Sequence, residues 1–388
     1  MEINNILESY HNFKEHTLED RFFKHSQVVQ LITKHSKLCE VELAGHSFEG
    51  RSIHLLKVGN GAISVFLWSQ MHGDEATGTM ALFDLLNYLD STDYAADAAE
   101  LLRECSLYFM PMVNPDGAAR FTRRNAQQID INRDYLREHS PEAKILKAAH
   151  EKIKPHFGFN LHDQSDLWGL KEGPYPAALS FLAPAFDKAK SMSAGRSVAM
   201  QVIADIHAQL SEYLPEKIGR FDDDHEPRAF GDNFQQSGTS TILIEGGCIV
   251  ADQESQQVRK MVFASLLVAL RSISTGTYRE RPIAAYSAIP ENYKSLYHIL
   301  VKNMRLNGQH YDVGINYTTS IDPDCISTTK VYSIEDLGDL QTMHGHRVID
   351  ASSMEVEGEI IFEAPANFSL KADGRTILSF SAGRLQSK

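Results

Sequence analysis

Short apolar runs alternate with segments of helical period through the middle of the chain. Four runs, AISVFLW, LYFMPMV, FGFNL and TILIEGG, are bounded by glycine, proline or polar residues. Between them lie segments such as TGTMALFDLLNYLD, whose apolar positions recur every three to four residues. Uninterrupted apolar strands that alternate with helices are typical of an α/β domain whose sheet is covered on both faces. We therefore predict a largely buried sheet flanked by helices.

The two ends of the chain have different patterns. Residues 1–37 have mixed three- and four-residue apolar spacing, which predicts a helical segment. The following stretch CEVELAGHSFEGRSIHLLKV alternates apolar and polar residues about a glycine-containing turn, and this predicts a hairpin at a sheet edge. From about residue 280 the chain is rich in Val, Ile and Thr, with Gly and Asp turns. We therefore predict an α/β domain at 38–279 and a small β-rich domain at 280–388, joined by a linker near Pro282.

Composition and charge narrow the class of protein. The 388 residues carry a formal net charge of −13, which argues against nucleic-acid binding because phosphate contacts need a basic face. The sequence has neither the apolar length of a membrane span nor the apolar core of a signal peptide. The cysteines Cys39, Cys105, Cys248 and Cys325 have no paired spacing and are expected to be reduced thiols. We therefore expect a cytoplasmic protein without a nucleic-acid or membrane partner.

Metal-capable side chains follow two of the predicted core strands. His72 and Glu75 stand three residues apart after AISVFLW, and His162 follows FGFNL. Because sites in α/β proteins gather at the carboxyl ends of strands, these side chains can converge. Two histidines and one carboxylate suit catalytic zinc, which keeps a further position for water. For each residue alone, a solvated loop or a hydrogen-bonded strand-end histidine is the simpler interpretation, so the hypothesis depends on the combination.

A basic segment follows the run LYFMPMV in this otherwise acidic chain. It contains Arg123 and Arg133, and Arg133 is preceded by Asn132 and the strand-like stretch QIDI. Guanidinium groups bind carboxylates bidentately and an amide can add a hydrogen bond, so the segment indicates an anion site. A solvated basic loop has the same composition. Asp130 would face the same side of a strand as Asn132 and could accept the second ring N–H of a metal-binding histidine.

A glutamate ends the last apolar run. Glu245 directly follows TILI and precedes two glycines. A carboxylate at a buried strand end needs a partner or a function. It is either a structural group bonded to nearby backbone or a general base that takes a proton from a zinc-activated water.

In combination these residues resemble the zinc metallocarboxypeptidase family, the carboxypeptidase A-like peptidases. The resemblance spans roughly residues 40–275 and rests on an ordered set of motifs. These are H-x-x-E, an arginine upstream of D-x-N-R, a late strand-end histidine and a strand-end glutamate. The resemblance implies a carboxypeptidase-like mixed sheet flanked by helices. It also implies a zinc-dependent hydrolase that removes a C-terminal residue from a peptide.

The resemblance implies a role for each residue of the set. One Zn²⁺ per chain would be bound by His72, Glu75 and His162. Glu245 would act as the general base and then as the acid, and Arg123 would stabilise the oxyanion.

Three further residues would serve the substrate and the metal ligands. Asn132 and Arg133 would hold the substrate's terminal carboxylate, and Asp130 would orient His72. Arg124 stands next to Arg123 and could replace it in the oxyanion role. The family's tyrosine that closes over the substrate, some twenty residues before the catalytic glutamate, has no counterpart in IGRFDDDHEPRAFGDNFQQSG.

Two other functions are compatible with the same residues. A deacylase of N-acyl amino acids would use the same zinc site and the same carboxylate anchor. The candidate substrates are therefore peptides or N-acyl amino acids with a free carboxylate. A catalytically silent carboxylate-binding module would need the anion site alone, but the complete set of His72, Glu75, His162 and Glu245 argues against it.

Overall fold

The chain divides into two compact units in the computed structural model, which describes residues 3–170, 173–322 and 327–386. Of these, the first unit takes the residues up to Ser165 and those from Ala177 to Asn292. The second unit takes those of Asp166–Pro176 and those from Tyr293 onward. The sequence predicted a boundary at residue 280 near Pro282, but Pro282 lies inside the first unit and precedes a further short helix. The sequence did not predict that the described residues of 166–176, called the excursion below, belong to the second unit while the chain on both sides of them belongs to the first.

All the α-helices among the described residues lie in the first unit. They are α1 Ile3–Glu8, α2 His25–Lys34, α3 Thr77–Asp90, α4 Ala95–Glu104, α5 Pro115–Arg120, α6 Pro141–Ile153, α7 Ala194–Leu210, α8 Phe230–Gln236, α9 Gln256–Thr275 and α10 Ile283–Ser287.

The strands are shared between the two units. They are β1 Glu40–His46, β2 Ser52–Val58, β3 Ile63–Ser69, β4 Cys105–Met110, β5 Phe157–Asp163, β6 Trp168–Leu170, β7 Leu179–Leu182, β8 Ile218–Arg220, β9 Ser240–Gly246, β10 Asn292–Lys294, β11 Leu296–Leu306, β12 Gln309–Ile321, β13 Thr328–Gly338, β14 His344–Asp350, β15 Glu355–Glu359, β16 Asn367–Ala372, β17 Arg375–Ser381 and β18 Arg384–Leu385.

The first unit is built on an eight-stranded mixed sheet in the order β1-β2-β4-β3-β5-β9-β7-β8. Neighbours β4, β3, β5 and β9 are parallel. The pairs β1–β2, β2–β4 and β9–β7 are antiparallel, and β8 is parallel to β7. The predicted fold class, a mixed sheet flanked by helices, is confirmed. The predicted hairpin is the pair β1–β2, with β1 at the edge.

Both faces of this sheet are covered, as the uninterrupted apolar strands predicted. Along β3, Val65 and Leu67 belong to the apolar cluster that includes α3, α7 and α9. The alternate residues Phe66 and Trp68 belong to a second cluster that includes residues of α6 and α8. Successive side chains of a strand point to opposite faces, so one strand contributes to both cores.

The second unit consists of β-strands, and the predicted C-terminal β region is present. Its sheets have the orders β13-β12-β11-β14 and β15-β16-β17-β18, with β6 paired to β10. Within the unit, Asp166 of the excursion is bound by side chains of β11 and β12. His298 Nε2 donates to Asp166 Oδ1 at 2.8 Å, and the Tyr317 hydroxyl donates to Asp166 Oδ2 at 2.7 Å.

Two remaining expectations concern cysteines and membrane spans. Cys39 and Cys105 are buried free thiols, whereas Cys325 lies outside the described residues. Among the helices described here, none combines the length and the apolar character needed to cross a membrane.

Candidate active site

Three adjacent parallel strands carry the candidate chemistry at one edge of the sheet. β5 lies between β3 and β9, and His162 on β5 is in register with Glu245 on β9. His72 and Glu75 lie in the loop that leads from β3 to α3. The carboxyl ends of parallel strands meet at the same edge, so segments far apart in sequence come together here.

His72, Glu75 and His162 bring one ligand atom each within 4.8 Å of one another. His72 Nδ1 lies 2.7 Å from Glu75 Oε1, and His162 Nδ1 lies 2.7 Å from Glu75 Oε2. The two Nδ1 atoms are 3.1 Å apart. Both imidazoles are buried.

The donor set fits a zinc ion. Neighbouring ligands of a tetrahedral zinc, each at about 2.1 Å from the ion, are separated by roughly 3.4 Å. Burial lowers the pKa of His162 and favours the neutral imidazole that a metal needs. His162 Nε2 is itself buried without a hydrogen-bond partner among the described residues, so the ring's polar contacts are on its Nδ1 side.

The charges around His72 and Glu75 also favour a cation. Burial alone would lower the pKa of His72, but the Glu75 carboxylate and a hydrogen bond with Asp130 raise it to about 9. Burial would raise the pKa of Glu75, yet the two histidines hold it well below its usual range. The carboxylate is therefore ionised and faces groups that can carry positive charge. A metal ion would replace the proton on His72.

Gly73 lets the loop that carries His72 and Glu75 approach α5 closely. A Cβ atom at this position would lie 2.0 Å from the carbonyl carbon of Gly117. The loop is further held by Gln70 Nε2, which donates to the Gly73 carbonyl at 3.0 Å. Asn114 Nδ2 donates to the Met71 carbonyl at 3.2 Å.

Asp163 positions Glu75 and was missed by the sequence analysis. Its backbone N–H donates to Glu75 Oε2 at 3.2 Å. Its side chain accepts from the backbone N–H and the hydroxyl of Thr77, at 3.1 and 2.8 Å. Burial and the nearby charge of Glu75 raise the pKa of Asp163 to about 7. An acidic residue directly after a strand-end histidine was the only signal in the sequence.

Asp130 and Arg123 lie beside the candidate metal ligands. Asp130 Oδ1 is 3.2 Å from His72 Nε2, and Arg123 Nε donates to Asp130 Oδ2 at 3.0 Å. Arg123 Nη1 is 3.4 Å from Glu75 Oε1. The neighbouring Arg124 donates instead to the carbonyl of Gln128 at 2.9 Å.

The strand predicted at QIDI is wrong. Asp130 instead caps a short 3₁₀ turn at Ile131–Arg133, and its Oδ1 accepts from the Asn132 N–H at 3.0 Å. An aspartate can satisfy nearby backbone N–H groups with its own side chain, which favours a capped turn over a strand ladder. Asp130 still contacts His72, but through this cap rather than through a strand face.

The candidate carboxylate anchor lies at the end of this turn. Asn132 is buried, and its Oδ1 accepts from the Phe230 N–H at 3.0 Å. Arg133 is exposed and donates through Nη1 to the Asn132 carbonyl at 2.8 Å. Arg133 Nε is 3.2 Å from an oxygen of Glu226, a contact that the sequence analysis did not predict.

Glu245 is half-buried at the end of β9. Burial and the charges of Glu75 and Asp163 raise its pKa well above the usual range for a glutamate. The charges of these two carboxyl groups favour the protonated form of Glu245 unless a cation lies beside them. Glu245 is therefore suited to holding and releasing a proton at this edge of the sheet.

Comparisons with known proteins point to one family of enzymes. Residues 25–173 match the family model described as zinc carboxypeptidase. Carboxypeptidase 2 of Trichophyton rubrum is 32% identical over 104 residues, which cover 26% of this chain and 18% of the relative. Carboxypeptidase D of Drosophila melanogaster is 28% identical over 150 residues, which cover 34% and 10%. The alignments thus span about a quarter or less of the length of these curated relatives.

Solved structures share the fold. A metallo-carboxypeptidase from Burkholderia cenocepacia has a TM-score of 0.52 at 16% identity, covering 66% of this chain and 70% of that one. Carboxypeptidase A from Helicoverpa armigera has a TM-score of 0.53 at 14% identity, covering 66% and 74%. The matched segment, residues 25–173, contains the H-x-x-E pair, the D-x-N-R turn and the strand-end histidine. The resemblance to zinc carboxypeptidases predicted from the sequence is therefore confirmed over these residues.

Proposed function

We propose that this chain is a zinc-dependent hydrolase that removes the C-terminal residue from a peptide with a free carboxylate. The observation that carries the proposal is the convergence of His72, Glu75 and His162 on one point. Glu245 lies beside them on the neighbouring strand, in register with His162. A hydrolase of this class needs a Lewis acid and a general base side by side.

The site residues would have the following roles. His72, Glu75 and His162 would hold one zinc ion. When bound, zinc supplies a Lewis acid that makes water a better nucleophile and polarises the scissile carbonyl. Asp130 would fix the ring of His72 through Nε2, which supports the ligand's orientation.

Glu245 would move the proton. It would accept a proton from the attacking water and return it to the leaving amine. Its raised pKa supports this role, because the protonated form that would donate to the leaving amine is favoured. Arg123 would stabilise the oxyanion, a contribution typically worth about 3 kcal/mol. Its contact with Asp130 holds the guanidinium beside the metal-binding residues.

Asn132 and Arg133 would make the enzyme act at chain ends. They would bind the terminal carboxylate, so that only the last amide bond lies at the metal. The anchor therefore predicts discrimination between a free and a blocked C-terminus.

The test compares a peptide with a free C-terminal carboxylate with its C-terminally amidated form. We expect the wild type to cleave the free peptide and to act poorly on the amidated one. Arg133→Ala is expected to raise KM for the free peptide, and the exposed Arg103→Ala serves as a matched control. Equal losses on both peptides in Arg133→Ala would argue against an anchor.

The same assay separates the alternatives. An N-acyl amino acid presents the same carboxylate to Arg133, so preferential turnover of that substrate would favour a deacylase. Binding of either compound without turnover by the zinc-loaded protein would favour a silent carboxylate-binding module. A cytoplasmic location stays a prediction from the sequence.

A further inference from the structure

Glu226 lies in the loop between β8 and α8, and its carboxylate is shared by two arginines. Arg228 binds it with both Nε and Nη2, at 2.8 and 2.7 Å. Arg133 Nε approaches Oε2 at 3.2 Å. Two guanidinium groups and one carboxylate leave one net positive charge at this point. The Glu226 carboxylate thus already contacts part of the Arg133 guanidinium that would bind the substrate.

Backbone contacts hold this loop against the anchor. The Phe230 N–H donates to Asn132 Oδ1 at 3.0 Å, and the Tyr135 N–H donates to the Arg228 carbonyl at 3.2 Å. On the other side, the Glu226 N–H donates to Asp232 Oδ1 at 2.9 Å. The position of Glu226 relative to Arg133 is therefore supported by these hydrogen bonds as well as by the ion pair between the two side chains.

We propose that Glu226 is a specificity-determining residue that competes with the substrate's terminal carboxylate for Arg133. This rests on the proposed function, in which Arg133 binds that carboxylate. When the substrate displaces Glu226 from Arg133, Glu226 stays bound to Arg228. The two bonds to Arg228 are shorter and bidentate, whereas the contact with Arg133 is single. Only an anionic substrate group can replace Glu226 on Arg133. A substrate with a neutral C-terminal amide would therefore not be affected by this competition.

The two residues should therefore act in opposite directions on KM. Glu226→Gln removes the competing charge and is expected to lower KM for a free-carboxylate peptide roughly two- to fivefold, the size typical of a partly exposed ion pair. Arg228→Gln releases Glu226 onto Arg133 and is expected to raise KM by a similar factor. In both variants kcat should change less than KM. Both effects should shrink at high ionic strength because the groups are partly solvated.

The experiment measures kcat and KM for the wild type and both variants at low and high salt. The substrates are a short peptide with a free C-terminal carboxylate and the same peptide with an amidated C-terminus. Glu291→Gln is the matched control, since Glu291 pairs with Arg220 elsewhere in the first unit. Thermal melting of each variant shows whether it folds.

The possible outcomes separate this inference from the function on which it rests. Opposite shifts in KM on the free peptide alone support the competition. An unchanged or raised KM in a folded Glu226→Gln variant overturns it while leaving the peptidase intact. If Glu226→Gln does not fold, an unchanged or lowered KM in Arg228→Gln overturns it instead. Loss of the distinction between free and amidated peptides in the wild type would refute the anchor itself.

Discussion

The Nδ1 atoms of His72 and His162 lie 3.1 Å apart, although ninety positions separate the two residues in the chain. Each of these nitrogens also contacts a different oxygen of Glu75. Neither ring can turn its Nδ1 away without leaving that carboxylate. The three side chains therefore form a preorganised group of donors around a point where positive charge is favoured.

The first prediction is that the protein binds one zinc ion per chain through these residues. Zinc should raise the melting temperature, because a ligand that binds only the folded state stabilises it by about 4 kcal/mol at a thousandfold excess over Kd. His162→Ala should lose both the zinc and the thermal shift. The control is His310→Ala, at an exposed histidine of the second unit that contacts the Asn303 carbonyl. Full zinc content in His162→Ala, measured by elemental analysis, would exclude this ligand set.

Replacement of Glu245 should separate metal binding from turnover. Glu245→Gln keeps the shape of the side chain but can no longer accept a proton. We expect zinc content near that of the wild type and a loss of kcat of about 10²- to 10⁴-fold, as is typical for removal of a general base. Turnover assays on a free-carboxylate peptide and metal analysis of the same preparation provide the measurement. Near-normal turnover in the zinc-loaded variant would remove Glu245 from the mechanism.

The fold and the family could be predicted because their signals are local. The run AISVFLW is apolar at every position except Ser64, and Leu67 and Trp68 are buried on opposite faces of the sheet. A helix-covered sheet follows from such runs, and the order of the polar residues after them indicated the family. No comparable local signal separates the turn at Asp130 from a strand, because the cap on Asn132 depends on one side-chain rotamer.

What the sequence analysis missed depends on tertiary contacts. Asp163 is an ordinary acidic residue until Thr77 and Glu75 are brought beside it. Glu226 lies in an acidic loop, and only the packing of that loop against the turn after Asp130 reveals its contact with Arg133. The assignment of the excursion at 166–176 to the second unit could not be predicted either, because these eleven residues carry no local signal of the unit to which they belong.

The close approach at Gly73 predicts a selective defect. Gly73→Ala would place a Cβ against the backbone of Gly117, so the loop that carries His72 and Glu75 must shift. We expect weaker zinc binding and lower activity, with a loss of stability of about 1–3 kcal/mol from overpacking. Gly173→Ala is the control, because among the described residues a Cβ there meets only the Tyr175 nitrogen, at 3.9 Å. Zinc titration of the two variants should differ; equal affinities would show that the loop does not need the glycine.

The hydrogen bonds to Asp166 predict a pH-dependent contribution to the stability of the second unit. Burial would raise the pKa of this carboxyl, but the bonds from His298 and Tyr317 outweigh it and lower the pKa to about 2. His298 Nδ1 accepts from the Tyr317 N–H at 3.1 Å, so Nε2 carries the proton that is donated to Asp166. The excursion at 166–176 is thus held by an ionised carboxylate.

The sign follows from the lowered pKa. An unfolded aspartate titrates near 3.9, so the stabilisation of about 2 kcal/mol is present above pH 4 and is lost as the pH falls from about 4 to about 2. Asp166→Asn should therefore lower stability at pH 7, and the gap to the wild type should narrow at pH 3. Hydrogen exchange of the described residues of 166–176 and urea unfolding at both pH values provide the measurement, with the exposed turn residue Asp373→Asn as the control. A gap of the same size at pH 7 and pH 3 would mean that the charge of Asp166 does not hold the excursion in place.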